Sequence, residues 1–396
     1  MNKPKIEPAR RVGTVKEYYF SRKLAEVAAM KAAGHDIISL AIGGPDMPPS
    51  PEVIDTLCTE ARRPDVHSYQ NTRSIPQLRN AYADFYNRHY GVTIDPETEI
   101  LPLIGSKEGV MHLSMTFLNA GDKVLIPDPG YPTYTSATLL AEGRPLPYTL
   151  LEEDGYQPDF DELERLAEAN NDIKLMWVNY PNMPTGAPAR RSTFERLVEF
   201  GRRHSIIIVH DNPYSFILNY HPMSIMQVEG AQEICIELNS LSKSHNMAGW
   251  RMAMLTSNKD FVSWILRVKS NVDSGQFRPM MDAAVTALQL PESWYESLNA
   301  AYRERRAVAE KIMSRMDCVF DSGQTGLFLW GKVPERYDNA EQLTEQLLHE
   351  AGVFVTPGFI FGRQGHRYLR ISLCATVAQL EEALRRIDKF MQKQNK

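Results

Sequence analysis

Apolar positions along this chain follow two periods. From Ser50, for about two hundred residues, short strand-like apolar runs alternate with stretches whose apolar residues recur every three or four positions. The strand-like runs are Glu99–Ile104, Lys123–Ile126, Lys174–Val178, Ser205–Val209 and Glu233–Leu238, and another apolar run begins at Trp250. Such alternation predicts a mostly parallel α/β sheet flanked by helices. Ahead of it, Tyr18 to Ala33 carries Leu24, Val27, Ala28 and Ala32 at helical spacing, with Gly34 as the stop, and Asp36–Ile42 reads as a strand running into Gly43-Gly44-Pro45. Beyond about residue 280 the pattern changes to long amphipathic helices, with short strands expected in 317–332 and 353–374 and a last helix capped by Thr376. The expected organisation is an arm and part of a small unit in 1–47, a large unit in 48–280, and a small α+β unit in 281–396.

Composition narrows the picture modestly. A chain of 396 residues is long for one core. A net charge of −5 gives no reason to expect nucleic acid or an anionic membrane. No apolar run approaches the roughly 20 residues of a membrane span, and the first residues show no secretory pattern, so a cytoplasmic location is expected. Cys58, Cys235, Cys318 and Cys374 show no metal-ligand spacing, so reduced thiols and no metal are expected.

The candidate chemistry collects at the ends of the expected strands, where open α/β sheets place ligands. Lys243 and Arg251 belong to Ser240-Leu-Ser-Lys-Ser-His-Asn-Met-Ala-Gly-Trp-Arg251, expected to be a polar loop between two strands. Asp211 and Tyr214 follow the β-branched run Ser205–Val209; Tyr131 follows Lys123–Ile126; and Gly105-Ser106-Lys107-Glu108-Gly109 links a strand to a helix, whose first N–H groups suit an anion. Taken singly, Lys243 also reads as a surface charge and Asp211 as a helix cap. Taken together they meet the needs of pyridoxal phosphate. Its aldehyde needs a lysine amine for a Schiff base, its ring nitrogen a buried carboxylate, its phosphate an arginine with hydroxyls and helix-start N–H groups, and its ring an aromatic face.

With these residues in hand, nearly the whole chain resembles the class I/II aminotransferases of fold-type-I pyridoxal-phosphate enzymes. Ile104-Gly-Ser-Lys-Glu-Gly109, Pro127-Asp-Pro-Gly-Tyr-Pro132 and Asn271-Val-Asp-Ser-Gly-Gln-Phe277 look most like the LL-diaminopimelate, alanine and aspartate aminotransferase branch. The resemblance implies a large domain with a mostly parallel mixed sheet, plus a smaller α+β domain built from both chain ends. It implies Lys243 as Schiff-base lysine and proton carrier, Asp211 on the pyridinium nitrogen, Tyr214 on the phenolic oxygen and Tyr131 on the ring face. Gly105, Ser106, Lys107, Ser240, Ser242 and Arg251 would hold the phosphate. Arg370, helped by backbone at Gly43, would take the substrate carboxylate. Tyr69 matches a tyrosine that reaches the neighbouring subunit's phosphate, which implies a homodimer. Tyr18 or Tyr19 is expected to line the pocket from the arm, and Arg278 is left unassigned.

Two positions depart from the family pattern. Met183 stands where Met183-Pro184-Thr185-Gly186 would ordinarily begin with asparagine, so a hydrogen-bond donor to the phenolic oxygen is lost and the imine should become more basic; Asn182, one position earlier, is the candidate substitute. Ser74 stands where glycine is common, with a local backbone effect expected. The resulting expectation is amino transfer between an L-amino acid and a 2-oxo acid, with 2-oxoglutarate and glutamate as one pair. A C–S β-lyase and a non-catalytic amino-acid sensor remain the alternatives.

Overall fold

The computed structural model describes residues 5–15 and 19–394. Its centre is a seven-stranded sheet of β1 (Ile100–Leu103), β2 (Lys123–Asp128), β3 (Arg144–Thr149), β4 (Ile173–Val178), β5 (Ile207–Asn212), β6 (Cys235–Ser240) and β7 (Ala253–Thr256). The spatial order is β1-β7-β6-β5-β4-β2-β3. β7 runs antiparallel to both neighbours, and the remaining pairs are parallel. All strands but β7 therefore point the same way, and their carboxyl ends share one edge of the sheet with the start of β7. The inner strands are buried along nearly their whole length, as a sheet covered by helices on both faces requires.

One strand was not foreseen. β3 carries Pro145 and Pro147, which break the apolar run, and it sits at the sheet edge, where a missing N–H costs no ladder bond. The expected strand Asp36–Ile42 pairs only over Ile38–Ser39, with Val353–Phe354. The next residues dock by other means: Leu40 O accepts from Ser372 N, Ala41 O from Thr356 Oγ1 and Arg370 Nη2, and Ile42 O from Ser372 Oγ.

The C-terminal part builds a second core around β8 (Phe328–Lys332) and β9 (Tyr368–Ser372), antiparallel neighbours, with Thr356–Pro357 on the far side of β9. The helices Glu292–Arg315 and Val377–Gln394 pack against each other in this core, and Leu40 joins it from the N-terminal side. Met281, Ala284 and Leu288, on the helix Arg278–Leu288, pack instead with the large core, which runs on to Tyr295. The helix Glu292–Arg315 spans both cores: Tyr295 lies in the first, and Leu298, Tyr302 and Ile312 lie in the second. No helix among the described residues is long and apolar enough to cross a membrane.

Candidate active site at the sheet edge

A cavity of about 640 Å³ opens at the carboxyl edge of the sheet, walled by both cores and by the N-terminal helix Tyr19–Ala32. Lys243 reaches it from a single helical turn, Leu241–Ser244, rather than from the expected polar loop. The turn forms because Ser240 Oγ at the end of β6 accepts the Ser242 N–H at 3.1 Å, and Leu241, Ser242 and Ser244 are buried. Lys243 Nζ donates to Gly43 O at 2.5 Å, tying the lysine to the segment between the cores. Burial, with Arg370 and Arg251 nearby, pulls its pKa below the ordinary lysine range, outweighing Cys374 and Asp211. A larger neutral fraction of amine follows, as a nucleophile and proton carrier needs.

Asp211 lies within β5, buried, and is not a helix cap. Its Oδ2 accepts the Tyr134 hydroxyl at 2.7 Å, while Oδ1 has no partner among the described residues. Burial lifts its pKa from 3.8 to about 6, against the pull of Tyr134, His210 and Lys243. Tyr134 was not foreseen as a site residue. It lies on the helix Pro132–Leu140, three positions after Tyr131, the extended residue that precedes that helix. Its ring stacks on Trp177 at 4.5 Å, and Tyr131 meets it edge-on at 5.5 Å. Tyr131 and Tyr214 both line the cavity.

The turn at Gly105 explains its own sequence. Gly105 has φ +79°, and a Cβ there would come within 1.9 Å of Arg251 Nη2. A Cβ at Gly109 would lie 2.7 Å from Leu103, so the second glycine lets the helix Ser106–Phe117 close onto the sheet. Glu108 Oε2 accepts the Ile104 N–H at 2.6 Å, and Oε1 takes His112 at 2.8 Å, with Lys269 at 3.4 Å. Ser106, Lys107, Ser240, Ser242 and Arg251 all line the cavity, and Ser106 Oγ is buried without a partner among the described residues. Gly105→Ala is expected to displace Arg251 and strain the turn. Cofactor affinity should fall at least about tenfold, and the strained alanine should lower the stability of the cofactor-free protein by about 1–3 kcal/mol without unfolding it. Fluorescence titration with pyridoxal phosphate checks it, and unaltered affinity would refute the cradle.

Arg370, on β9, is 4% exposed and enters from the small core. Its guanidinium lies 3.9 Å from the Phe328 ring centroid and 4.6 Å from that of Phe361. Nη2 donates to Ala41 O at 2.9 Å, and Nη1 lies 3.1 Å from Met183 Sδ. Met183 thus lines the cavity beside the arginine. Gly43 must be glycine, because a Cβ would lie 2.2 Å from the Phe328 ring.

Two expected residues stand elsewhere. Asn182 is consumed inside its own turn: Nδ2 donates to Asn179 O at 3.2 Å, and Oδ1 accepts from Thr185 Oγ1 at 2.7 Å and Thr185 N at 3.2 Å. It is absent from the cavity wall, where Asn179 appears instead, its Nδ2 donating to Asp211 O at 2.6 Å. The one-residue offset turns Asn182 inward. Tyr19 packs edge-on against Phe359 at 5.5 Å and is not on the wall; Phe20, Ser21 and Leu24 of the same helix are. Tyr18 lies outside the described residues. Tyr69 is 92% exposed and is not on this chain's own cavity wall. Ser74 adopts φ 67°, the left-handed region that favours glycine.

These residues fit pyridoxal phosphate. The unpartnered Asp211 Oδ1 matches a protonated ring nitrogen, and the unpartnered Ser106 Oγ with the Gly105–Arg251 cradle matches a phosphate. Residues 35–387 match the family model for aminotransferase class I and II. The chain is 40% identical over 381 residues to an LL-diaminopimelate aminotransferase of Desulforudis audaxviator, covering 96% of each chain. It is also 40% identical over 356 residues to one of Aquifex aeolicus, covering 89% of this chain and 91% of that one. A substrate-bound BacF structure from Bacillus subtilis superposes with a TM-score of 0.92 at 34% identity, covering 98% of each chain. The chain belongs to the class I and II aminotransferases, and it is a pyridoxal-phosphate-dependent transaminase.

Proposed function

We propose that the protein moves an amino group between an L-amino acid and a 2-oxo acid, with glutamate and 2-oxoglutarate as one pair. The observation that carries this reading is that Arg370 and Lys243, one from each core, line the same cavity. When bound, pyridoxal phosphate supplies an electron sink for bonds at the substrate Cα. Arg370 pairs with the α-carboxylate through a planar fork that lysine lacks, and the flanking Phe328 and Phe361 rings keep water from it. Lys243 takes and returns the proton at Cα. Asp211, held by Tyr134, would keep the ring nitrogen protonated. Tyr214 would donate to the phenolic oxygen, and Tyr131 would cover the ring face. The N–H groups of Ser106 and Lys107, with Ser240, Ser242 and Arg251, would hold the phosphate.

A homodimer is part of this reading. The exposure of Tyr69, together with that of Val272 and Phe277, supports a second copy that receives Tyr69 at its phosphate site. Mixing several amino donors with 2-oxoglutarate tests the reaction. The expected result is glutamate formed in step with loss of donor. Steady release of pyruvate and ammonia from cysteine-type substrates, without any need for an oxo acid, would overturn it.

A further inference from the structure

The composition of the cavity wall bears on which donor the site accepts. Beyond the groups assigned to cofactor and carboxylate, the wall around the Arg370 side is mostly apolar: Phe20, Leu24 and Ile42 join Phe328 and Phe361, with the Ser21 hydroxyl beside them. Leu24 and Ile42 remain 36% and 46% exposed, which places them at the mouth. Asp211 is the one carboxylate among the described wall residues, and it already accepts from Tyr134. A donor with a second ammonium would leave that charge without a counter-charge from this chain, and burying an unpaired charge is costly. A donor with an apolar side chain instead removes apolar surface from water on both partners.

We propose that the preferred amino donor carries a large apolar side chain, and that Phe20, Leu24 and Ile42 form the surface that receives it. The proposal rests on the transamination reading and deepens it, and it departs from the donor in the relatives' names. With the α-carboxylate fixed on Arg370, the side chain is the part of the donor left to meet these three residues. Added apolar bulk should then raise specificity by 10- to 200-fold, the range for small changes of size in a hydrophobic pocket.

The test uses the cofactor-loaded protein in single-turnover reactions followed by absorbance, with L-phenylalanine, L-leucine, L-alanine and LL-diaminopimelate. The expected kcat/KM for phenylalanine exceeds those for alanine and LL-diaminopimelate by at least about tenfold. A value for LL-diaminopimelate equal to or above that for phenylalanine would overturn the proposal. If no donor is converted, the transamination reading fails, and binding decides the proposal separately. 3-Phenylpropanoate, which has no amine to transfer, should then bind at least about tenfold more tightly than heptanedioate, as read by thermal shift. Equal or reversed affinities would sink it. Leu24→Lys, on a solvent-facing helical position, should lower the ratio of phenylalanine to alanine kcat/KM about tenfold; an unchanged ratio would remove Leu24 from the surface.

Discussion

Lys243→Ala should abolish amino transfer and the imine absorbance of the cofactor-loaded protein together. Lys243 stands in the cavity with Asp211 and Arg370, and burial and the neighbouring arginines pull its pKa below the ordinary lysine range. The other primary amine on the described wall is Lys107, whose Nζ lies 5.9 Å from the Tyr131 ring centroid at the helix start, where the phosphate is expected. No second lysine is therefore placed to take over proton transfer at Cα. Turnover should fall by roughly 10³- to 10⁴-fold, the span of a lost general base compounded by the lost covalent anchor. The fold should survive, because the substitution removes one contact, to Gly43 O, and leaves the Ser240 cap intact. Thermal melts of the cofactor-free protein check folding. A variant that keeps both the absorbance and the activity would refute the assignment of Lys243 outright.

The second large effect comes from Asp211→Asn, and it runs in opposite directions for stability and activity. In the cofactor-free protein, Asp211 has a pKa of about 6 against 3.8 for the free group. Below 3.8 both folded and unfolded chains hold the proton. Between 3.8 and about 6 the unfolded chain has released it while the folded chain has not, so stability falls as pH rises through this window. Two units correspond to about 3 kcal/mol at neutral pH. Asparagine can still accept from Tyr134 and carries no such penalty. The cofactor-free variant should therefore melt several degrees above the wild type at pH 7 and lose that advantage near pH 4. Turnover, by contrast, should drop about 10²- to 10³-fold, the scale for removing one electrostatic partner from a reacting site. Calorimetry at the two pH values, with a single-turnover assay, checks both halves. A variant less stable than wild type at pH 7 would show that the burial penalty at Asp211 is not as described.

Much of this architecture was legible because buried parallel strands leave continuous apolar runs. β1, β2, β4, β5 and β6 all fall within three residues of where those runs placed them. β3 was hidden because edge strands tolerate proline and need no apolar run. The residues at strand ends were legible because their chemistry is unusual there: a lysine among serines, an aspartate closing a β-branched run, glycines at a helix start. What was not legible depended on contacts across the chain. Tyr134 supports Asp211 from another strand's helix, 77 residues away. Phe20 and Phe361 meet Arg370 only once both chain ends fold together. Asn182 and Tyr19 each stand one position before a wall residue, Met183 and Phe20. In a tight turn or at a helix start, one step changes the direction of a side chain, and spacing alone does not resolve it.

The helix Glu292–Arg315 rests in both cores, and it links the two walls of the cavity. Its 24 residues extend roughly 36 Å, anchored at Tyr295 in one core and from Leu298 onward in the other. Arg370 belongs to the core at its far end, and Lys243 to the core at its near end. The helix therefore acts as a beam between the group that grips the carboxylate and the group that moves the proton. Any shift of one end of that beam against the other would change the reach between the two groups. Misplacement by about 1 Å is enough to slow a reaction 10²-fold. Repacking at Tyr302 or Ile312, far from any substrate atom, would detune the enzyme through leverage alone.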